Sequence, residues 1–501
     1  MAPSKISKPS RLAPPIKKSQ AILDNAHNKL SKASTVILWL VNIILPGTAF
    51  FAKGGKWFTK TLGTLFLIVF LGIYSAIVYA YLTYGLKEIS LTFVSDPDLM
   101  LYGIYAIYGI AGLWILSVIT GTIFLMKKSM LKKWIKALFI SFAMLLSISV
   151  GLASAWTGAT VTDIRNTIQA VSADTAIDLG IGNASPEPID NNAKPWGEAN
   201  RINILILGSD QGSDRVGIRP DILMVASINT ITGSTQLFNV PRNLEGVKFP
   251  SDSPAYKIYP NGFDDLINAV WTWGDSRPDL YPETSTPGLQ ATTEAMEETL
   301  GLDLGYYMIV NMQGFSDLVD SVDGVTVNVP RALPKGKTGD INPPMIPAGL
   351  NQTLNGDNAL WFVRSRADSS DYDRMLRQRC MVEALTTKMT GEQIATSLPS
   401  ILQNLRENFS TNIEQKDIKD WVELFDKVRG NTIQGYAFTN EVINTANPDW
   451  AAIKRIVAES TVDPELSLYE NSSTSSSGDL LPDETAPVPP TGQPQQENPY
   501  C

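Results

Sequence analysis

The stretch 354–379 concentrates side chains that could bind a phosphate group. It contains five arginines: Arg364, Arg366, Arg374, Arg377 and Arg379. A guanidinium stays charged and presents a planar fork of donors that matches phosphate geometry. Arg364 and Arg366 share a face if this piece is extended, and Arg374 shares a helix face with Gln378. The stretch therefore indicates either a site for a polyanion such as a diphosphate or a solvated surface of salt bridges with nearby aspartates.

A second group of charged side chains follows three predicted strands. Apolar runs between turn residues predict these strands at Ile202–Leu207, Ile222–Asn229 and Ser234–Val240. In an antiparallel meander, Asp210, Asp221 and Arg242 arrive at the same edge of the sheet. Carboxylate oxygens suit Mg²⁺, which completes its shell with water and phosphate oxygens. The pattern favours a site for Mg²⁺ (or Mn²⁺) and a phosphate, with ordinary turn aspartates as the alternative.

Helices and further strands alternate along the rest of this part of the chain. Periodicity and capping residues predict strands at Tyr306–Asn311 and Val325–Val329 and helices at Asp264–Trp273, Gly288–Leu300, Gly314–Val322, Asn355–Trp361, Asp373–Met389 and Lys416–Val428. Strands interleaved with helices are typical of an α/β sandwich.

Three apolar runs are long enough to cross ~30 Å of hydrocarbon. They are residues 62–84, 99–126 and 134–156, and we interpret the shorter run 36–52 as re-entrant or interfacial, with an extra span as the alternative. Residues 1–156 hold 16 Lys and Arg against 4 Asp and Glu, whereas the remainder holds 25 against 46. Because basic loops stay in the cytoplasm, we predict a multi-pass cell-membrane protein with a cytoplasmic N-terminus and an extracellular domain.

Composition divides the chain into six segments. They are a basic cytoplasmic arm (1–35), the membrane region (36–156), a helix and linker (157–200), an α/β domain (201–390), a helical C-terminal extension (391–470) and a tail (471–501). The tail is rich in Ser, Pro and Gln with few large apolar residues, which predicts disorder.

Several functional classes are excluded by composition. The only histidine is His27, in the N-terminal arm, so the chain has neither a Cys/His metal site nor a Ser-His-Asp triad. An acidic exported domain without a basic stripe argues against nucleic acid and a role in transcription. Cys380 and Cys501 could form a disulfide, but no spacing pattern indicates one. We interpret Cys380 as a packing residue.

Five segments in this order and spacing carry a family resemblance. They are RINILILGSDQGSDR, RPDILMVASIN, STQLFNVPRN, YYMIVNMQGFSDLVDSVDGVTVNVP and LNGDNALWFVRSR…DYDRMLRQR. Together they resemble the LytR-CpsA-Psr family over residues 201–389, in the multi-span form of an actinobacterial-type member. The resemblance implies a membrane-anchored protein of Gram-positive-type bacteria with an α-β-α domain outside the cell.

The same resemblance implies an activity and its site residues. Family members transfer a glycopolymer from a polyprenyl-diphosphate carrier to peptidoglycan as a phosphodiester, and several release phosphate from polyprenyl diphosphates. Carried over by position, the implied magnesium ligands are Asp210 and Asp221, and the implied catalytic diphosphate cage is Arg242, Arg364, Arg366 and Arg374. The implied substrate contacts are Arg219, Lys257 and Gln378. The sequence does not specify which glycopolymer is moved or an oligomeric state.

Two further roles keep an alternative open. Asp371 or Asp373 could be the base for the acceptor hydroxyl, or they could be helix N-caps or arginine partners. An apolar channel for the lipid could be lined by Trp271, Trp273, Phe315, Leu318 and Trp361, which could equally be core residues. The alternative function is a non-catalytic protein of the cell envelope that binds or presents polyprenyl diphosphate.

Overall fold

The computed structural model describes ten stretches of the chain. They are residues 32–51, 56–173, 194–209, 219–336, 340–366, 370–391, 408–431, 433–438, 442–462 and 498–501. The chain divides into two compact units, the first being Met1–Ile89 with Asp98–Thr162 and the second being Ser90–Pro97 with Asp163–Cys501.

The first unit is helical. It contains α1 (Lys32–Ile44) and most of α2 (Trp57–Ser95), α3 (Pro97–Lys128) and α4 (Lys133–Ala173). The last three are long and apolar enough to cross a membrane, as the sequence predicted. Their orientation stays a prediction.

The run 36–52 forms α1 and a tight turn in the described residues. The Asn42 side chain accepts hydrogen bonds from the Gly47 and Ala49 amides at 3.0 and 3.1 Å. Gly47 has φ +104 and lies so close to the Gly63 carbonyl that a Cβ would come within 2.4 Å of it. A side chain is therefore excluded at this turn, and α1 is shorter than the ~20 residues that a span requires.

Two helices are longer than the apolar runs predicted. The predicted amphipathic helix from Thr157 is continuous with the third span, because α4 contains no proline to end it. The segment 85–98, which separates the first two predicted spans, is mostly helical as well. It contains a kink at Gly85, where φ is 73, and only Asp96 separates α2 from α3.

The second unit contains an α/β fold, as predicted. Its strands are β1 (Arg201–Ser209), β2 (Pro220–Asn229), β3 (Thr235–Val240), β4 (Tyr306–Asn311), β5 (Val325–Val329), β6 (Leu333–Pro334), β7 (Met345–Ile346), β8 (Gly349–Leu354), β9 (Phe409–Thr411) and β10 (Ile433–Ala437). Its helices are α5 (Val270–Asp275), α6 (Pro287–Leu300), α7 (Met312–Ser321), α8 (Gly356–Arg364), α9 (Asp371–Lys388), α10 (Ile418–Arg429) and α11 (Trp450–Ser460).

Six strands form the central sheet in the order β10-β3-β2-β1-β4-β9. The first three strands are an antiparallel meander, which confirms the predicted arrangement, and β4 runs parallel to β1. The shorter strands pair as β5-β8 and β6-β7. Since β9 and β10 are edge strands of this sheet, the stretch 391–470 is not a purely helical extension. It completes the same fold, which corrects the predicted boundary at residue 390.

Side chains alternate between the two faces of the sheet, as the period of two requires. Leu205 and Phe238 belong to a core cluster with α5, α6 and α11. Ile204 and Leu237 point to the opposite face, where Leu424 of α10 joins them. The sheet therefore lies between two helical layers.

The end of the chain packs on the second unit. Tyr500 is buried in a cluster with α8 and α9, and Cys501 forms a disulfide with Cys380 of α9. The composition of the tail gave no indication of this contact, and Cys380 is a cross-link as well as a packing residue. Residues 471–497 of the predicted tail lie outside the described residues.

Candidate functional site

A cavity of about 1310 Å³ lies against one face of the central sheet. Its described apolar lining comes from the sheet and from α7, α8, α9 and α10, and includes Ile204, Ile206, Met224, Ala226, Leu237, Met308, Val310, Met381, Leu385, Leu424 and Phe425. The charged residues Asp221 and Arg242 line the cavity where β2 begins and β3 ends. At the opposite ends of these two strands, the cavity is lined by Ile228 and Thr235. The cavity is thus apolar with a charged end.

We call this the arginine end and define it as Asp221, Arg242, Arg364, Arg366 and Arg374, all of which line the cavity. The pairing of β2 with β3 explains why two of them meet. Leu223 lies opposite Val240, so two residues further out Asp221 lies beside Arg242. Nη1 of Arg242 donates to Oδ1 of Asp221, and Nη2 of Arg366 lies 3.7 Å from the same oxygen.

Helices α8 and α9 supply the other arginines. Arg364 is the last residue of α8, where its guanidinium lies 5.6 Å from the ring centroid of Trp361. Arg374 lies in α9 with a side chain that is only 4% exposed, and its Nη1 is 3.2 Å from Oδ1 of Asp371. The buried Nε of Arg374 makes no hydrogen bond to the described residues. Part of the hydrogen-bonding capacity of Arg374 is therefore not used by the described residues.

Clustering of the guanidiniums makes the arginine end strongly attractive to anions. Burial, with the neighbouring Arg366 and Arg242, lowers the pKa of Arg374 to about 10, although Asp371 opposes this. Burial also lowers the pKa of Arg366, and Arg242 and Arg364 add to that effect. A bound polyanion would offset both the lost solvation and the mutual repulsion.

Asp371 and Asp373 have structural roles at the start of α9. Ser370 is the N-cap, and Asp373 completes a capping box with it. The Asp373 carboxylate also pairs with Arg331 at 3.1 Å, while Asp371 pairs with Arg374. Neither carboxylate is among the described residues that line the cavity. The geometry matches the interpretation of both as arginine partners.

The remaining predicted site residues divide into three groups. Gln378 lines the cavity, and its Nε2 donates weakly to the Val363 carbonyl at 3.4 Å. Arg219 also lines it, with an exposed side chain 4.0 Å from Asp265. Lys257 is exposed and is not among the described lining residues. Asp210 lies outside the described residues.

The predicted channel residues separate in the same way. Phe315, Leu318 and Trp361 line the cavity. Trp271 and Trp273 do not, because α5 packs on the opposite face of the sheet and places them in or against its core. For these two tryptophans, the alternative interpretation as core residues is correct.

Two asparagines at the charged part of the cavity were not predicted. Asn243 follows Arg242 directly, so its position in the motif VPRN was an available signal. Asn268 is buried, and its Oδ1 makes no hydrogen bond to the described residues. The sequence around Asn268 carries no comparable signal.

Comparison with known proteins identifies the family. The model of the LytR_cpsA_psr family matches residues 166–459. The chain belongs to this family. The match reaches into α11, in agreement with a LytR_cpsA_psr domain that continues past residue 390.

Two curated relatives of this LytR_cpsA_psr protein carry the same name. The polyisoprenyl-teichoic acid–peptidoglycan teichoic acid transferase TagU of Bacillus mycoides is 29% identical over 221 residues, which cover 44% of this chain and 62% of that protein. The protein of the same name from Oceanobacillus iheyensis is 29% identical over 271 residues, 50% of this chain and 76% of its own. The chain thus spans less than two thirds of the first of these relatives.

The solved structures that are similar to this chain include Bacillus subtilis TagV. It is 23% identical, covers 52% of this chain and 95% of its own, and has a TM-score of 0.39.

Proposed function

We propose that this protein transfers a glycopolymer from a polyprenyl-diphosphate carrier to peptidoglycan. One observation carries the proposal: a single cavity joins a large apolar chamber to a cluster of four arginines. A polyprenyl diphosphate has the same division into a long hydrocarbon and a compact polyanion. The names of the relatives TagU from Bacillus mycoides and Oceanobacillus iheyensis support the same class of reaction.

The arginine end would serve the reaction by stabilising charge. A hydroxyl of peptidoglycan attacks the phosphorus that carries the glycopolymer, and the bond from that phosphorus to the prenyl phosphate breaks. A phosphodiester to peptidoglycan forms, the prenyl phosphate leaves with the electron pair of the broken bond, and the hydroxyl proton passes to water. Arg242, Arg364, Arg366 and Arg374 spread the charge that develops on the diphosphate oxygens.

Magnesium fits the donor set at this position. Both arginine contacts of Asp221 go to Oδ1, and carboxylate oxygens are the ligands that Mg²⁺ prefers. Asp221, together with Asp210, would hold the ion, which would supply further neutralisation of the diphosphate. We extend the proposal to a pyrophosphatase activity, in which water replaces the hydroxyl.

The protein's orientation follows from the same proposal. Peptidoglycan lies outside the cell, so the second unit must be extracellular and the basic N-terminal arm cytoplasmic. The excess of Lys and Arg in residues 1–156 supports this orientation.

Carrier binding without turnover is the second candidate. The observation that favours it is the engagement of Asp371 and Asp373 in contacts with arginines and the helix cap. Neither carboxylate then acts as a base, and the same cavity would hold and present the lipid.

Turnover distinguishes the two candidates. The full-length protein in detergent would be given a polyprenyl diphosphate and Mg²⁺, and both released phosphate and bound lipid would be measured. We expect Mg²⁺-dependent release, lost in Asp221→Ala and Arg364→Ala. Tight binding without release, even when a peptidoglycan acceptor is added, would favour the carrier-binding protein. Lack of binding would contradict both.

A further inference from the structure

Arg377 lies among the site residues of α9 but points away from the cavity. It is 0% exposed and is not among the described lining residues, unlike its neighbours Arg374 and Gln378. Its Nε donates to the Phe362 carbonyl at 2.6 Å, and its Nη2 donates to the Ser365 carbonyl. The guanidinium thus donates hydrogen bonds to two backbone carbonyls at the end of α8.

The backbone that Arg377 holds is the piece that carries two site arginines. Arg364 precedes Ser365 and Arg366 follows it. Ser365 is fixed further by its amide, which donates to the Trp361 carbonyl, and by its hydroxyl, which donates to the Pro334 carbonyl. A cation at the carboxyl end of a helix is also favoured by the helix dipole. Arg377 therefore contacts the backbone from which both site arginines extend.

Tyr500 in turn fixes Arg377. Its ring lies 5.6 Å from the guanidinium and packs edge-on against Phe362 at 5.8 Å, with the side chain buried. The tyrosine hydroxyl also lies 3.4 Å from Oδ1 of Asp373. Burial lowers the pKa of Arg377, and the interaction with Tyr500 opposes this change. Removing Tyr500 would leave a buried cation without its aromatic neighbour.

Residues 498–501 make three further contacts with the domain. Asn498 donates from its side chain to the Leu376 carbonyl at 2.9 Å, and the Tyr500 carbonyl accepts from the Asn328 amide at 2.8 Å. The third contact is the disulfide between Cys501 and Cys380. The protein has two cysteines in all, so this cross-link accounts for both.

We propose that residues 498–501, which we call the C-terminal clamp, position the diphosphate-binding arginines. Tyr500 holds Arg377, Arg377 holds the backbone of residues 362–365, and this backbone directs Arg364 and Arg366. The disulfide keeps the clamp in place. Tyr500 and Arg377 are positioning residues, and the inference rests on the proposed function for its effect on ligand binding.

Reduction of the folded protein tests the clamp without any substrate. Hydrogen exchange would be followed on the full-length protein in detergent, with and without dithiothreitol. We expect faster exchange in the peptide 361–366 after reduction and unchanged exchange in the central strands β1 and β2. Cys501→Ser should exchange like the reduced protein and should not respond to dithiothreitol. Unchanged exchange at 361–366, or an equal increase throughout the domain, would overturn the proposal.

Ligand binding supplies the second readout. Geranylgeranyl diphosphate and the uncharged geranylgeraniol would be titrated into oxidised and reduced protein. Because a charge-assisted contact is misplaced, we expect about tenfold weaker binding of the diphosphate after reduction. Binding of the alcohol should be unchanged, since the apolar chamber is not altered. Equal weakening of both ligands would show a merely structural role and overturn the proposal.

A matched pair of variants separates the clamp from general effects on α9. Arg377→Lys and Arg379→Lys each replace an arginine of α9 that donates to a backbone carbonyl, but Arg379 is only partly buried and contacts Gly435 of β10. Only Arg377→Lys should weaken diphosphate binding and speed exchange at 361–366. Equal effects of the two variants would contradict the clamp. If oxidised protein binds neither ligand while the exchange result holds, the proposed function fails and the positioning role stands.

Discussion

Both faces of the central sheet are apolar, yet the helices that cover them form different structures. On one face, Leu205 and Phe238 pack with α5, α6 and α11 into a continuous core. On the other, Ile206 and Ala226 border a cavity of about 1310 Å³. The strands supply both sets of side chains by simple alternation, so the difference arises from the helices that cover each face.

Under the proposed function, the cavity face is the site for the lipid. Apolar side chains around an open space lose dispersion contacts, which destabilises a protein in proportion to the volume. A ligand with a long hydrocarbon restores those contacts. In the proposed function, the arginine end then sets the direction of the ligand. Because the arginines lie at one end of the cavity, the diphosphate binds there and the hydrocarbon extends away from it.

Adjacent residues of β1 give the largest expected contrast between the faces. Leu205→Ala opens a void in a filled core and should lower the free energy of unfolding by about 3 kcal/mol. Ile206→Ala enlarges an existing cavity and should lower it by about 1 kcal/mol. Thermal unfolding of both full-length variants checks this. Equal destabilisation would mean that the cavity face is packed in solution.

Two arginines of α9 give a contrast of intermediate size. Arg374→Ala should weaken binding of a prenyl diphosphate by roughly thirtyfold, since about 2 kcal/mol of charge-assisted hydrogen bonding is lost. Arg379→Ala removes a hydrogen bond to Gly435 and should change thermal stability rather than affinity. Equilibrium titration measures both. If Arg379→Ala proved the more harmful to binding, the arginine end would be wrongly assigned.

The filled face also gives an effect that depends on pH. Burial raises the pKa of Glu297 from 4.5 to about 7. The folded state therefore holds a proton that the unfolded state releases, and this part of the stability decreases as pH rises from about 4.5 to 7. Glu297→Gln should flatten the pH dependence in that window, as followed by melting temperature. An unchanged profile would assign the dependence to other groups.

Sequence patterns identified most of this fold because long strands and helices carry strong periodicity. The strands Tyr306–Asn311 and Val325–Val329 have the predicted bounds. The edge strands β9 and β10 were missed, because three and five residues of mixed polarity show no alternation. Helices α2 and α4 were underestimated, because helix formation continues after apolarity ends.

The candidate site was harder to derive in full. Residue type and register predicted that Asp221 and Arg242 would meet, and their ion pair agrees. Apolar composition does not distinguish a filled core from a cavity lining, so Trp271 and Trp361 were indistinguishable in sequence. The proposed role of Arg377 depends on a contact with Tyr500, which lies 123 residues further along the chain. No local sequence pattern predicts a contact between residues so far apart.

The chain length of the bound lipid tests the central claim most directly. Affinities of full-length protein would be measured for prenyl diphosphates of increasing length, with Ala226→Phe as a variant that partly fills the chamber. We predict that affinity rises with length in the wild type, since each buried methylene contributes up to about 0.8 kcal/mol. In Ala226→Phe the gain should stop at a shorter chain while the shortest diphosphate binds as before. An affinity independent of chain length in the wild type would contradict the account.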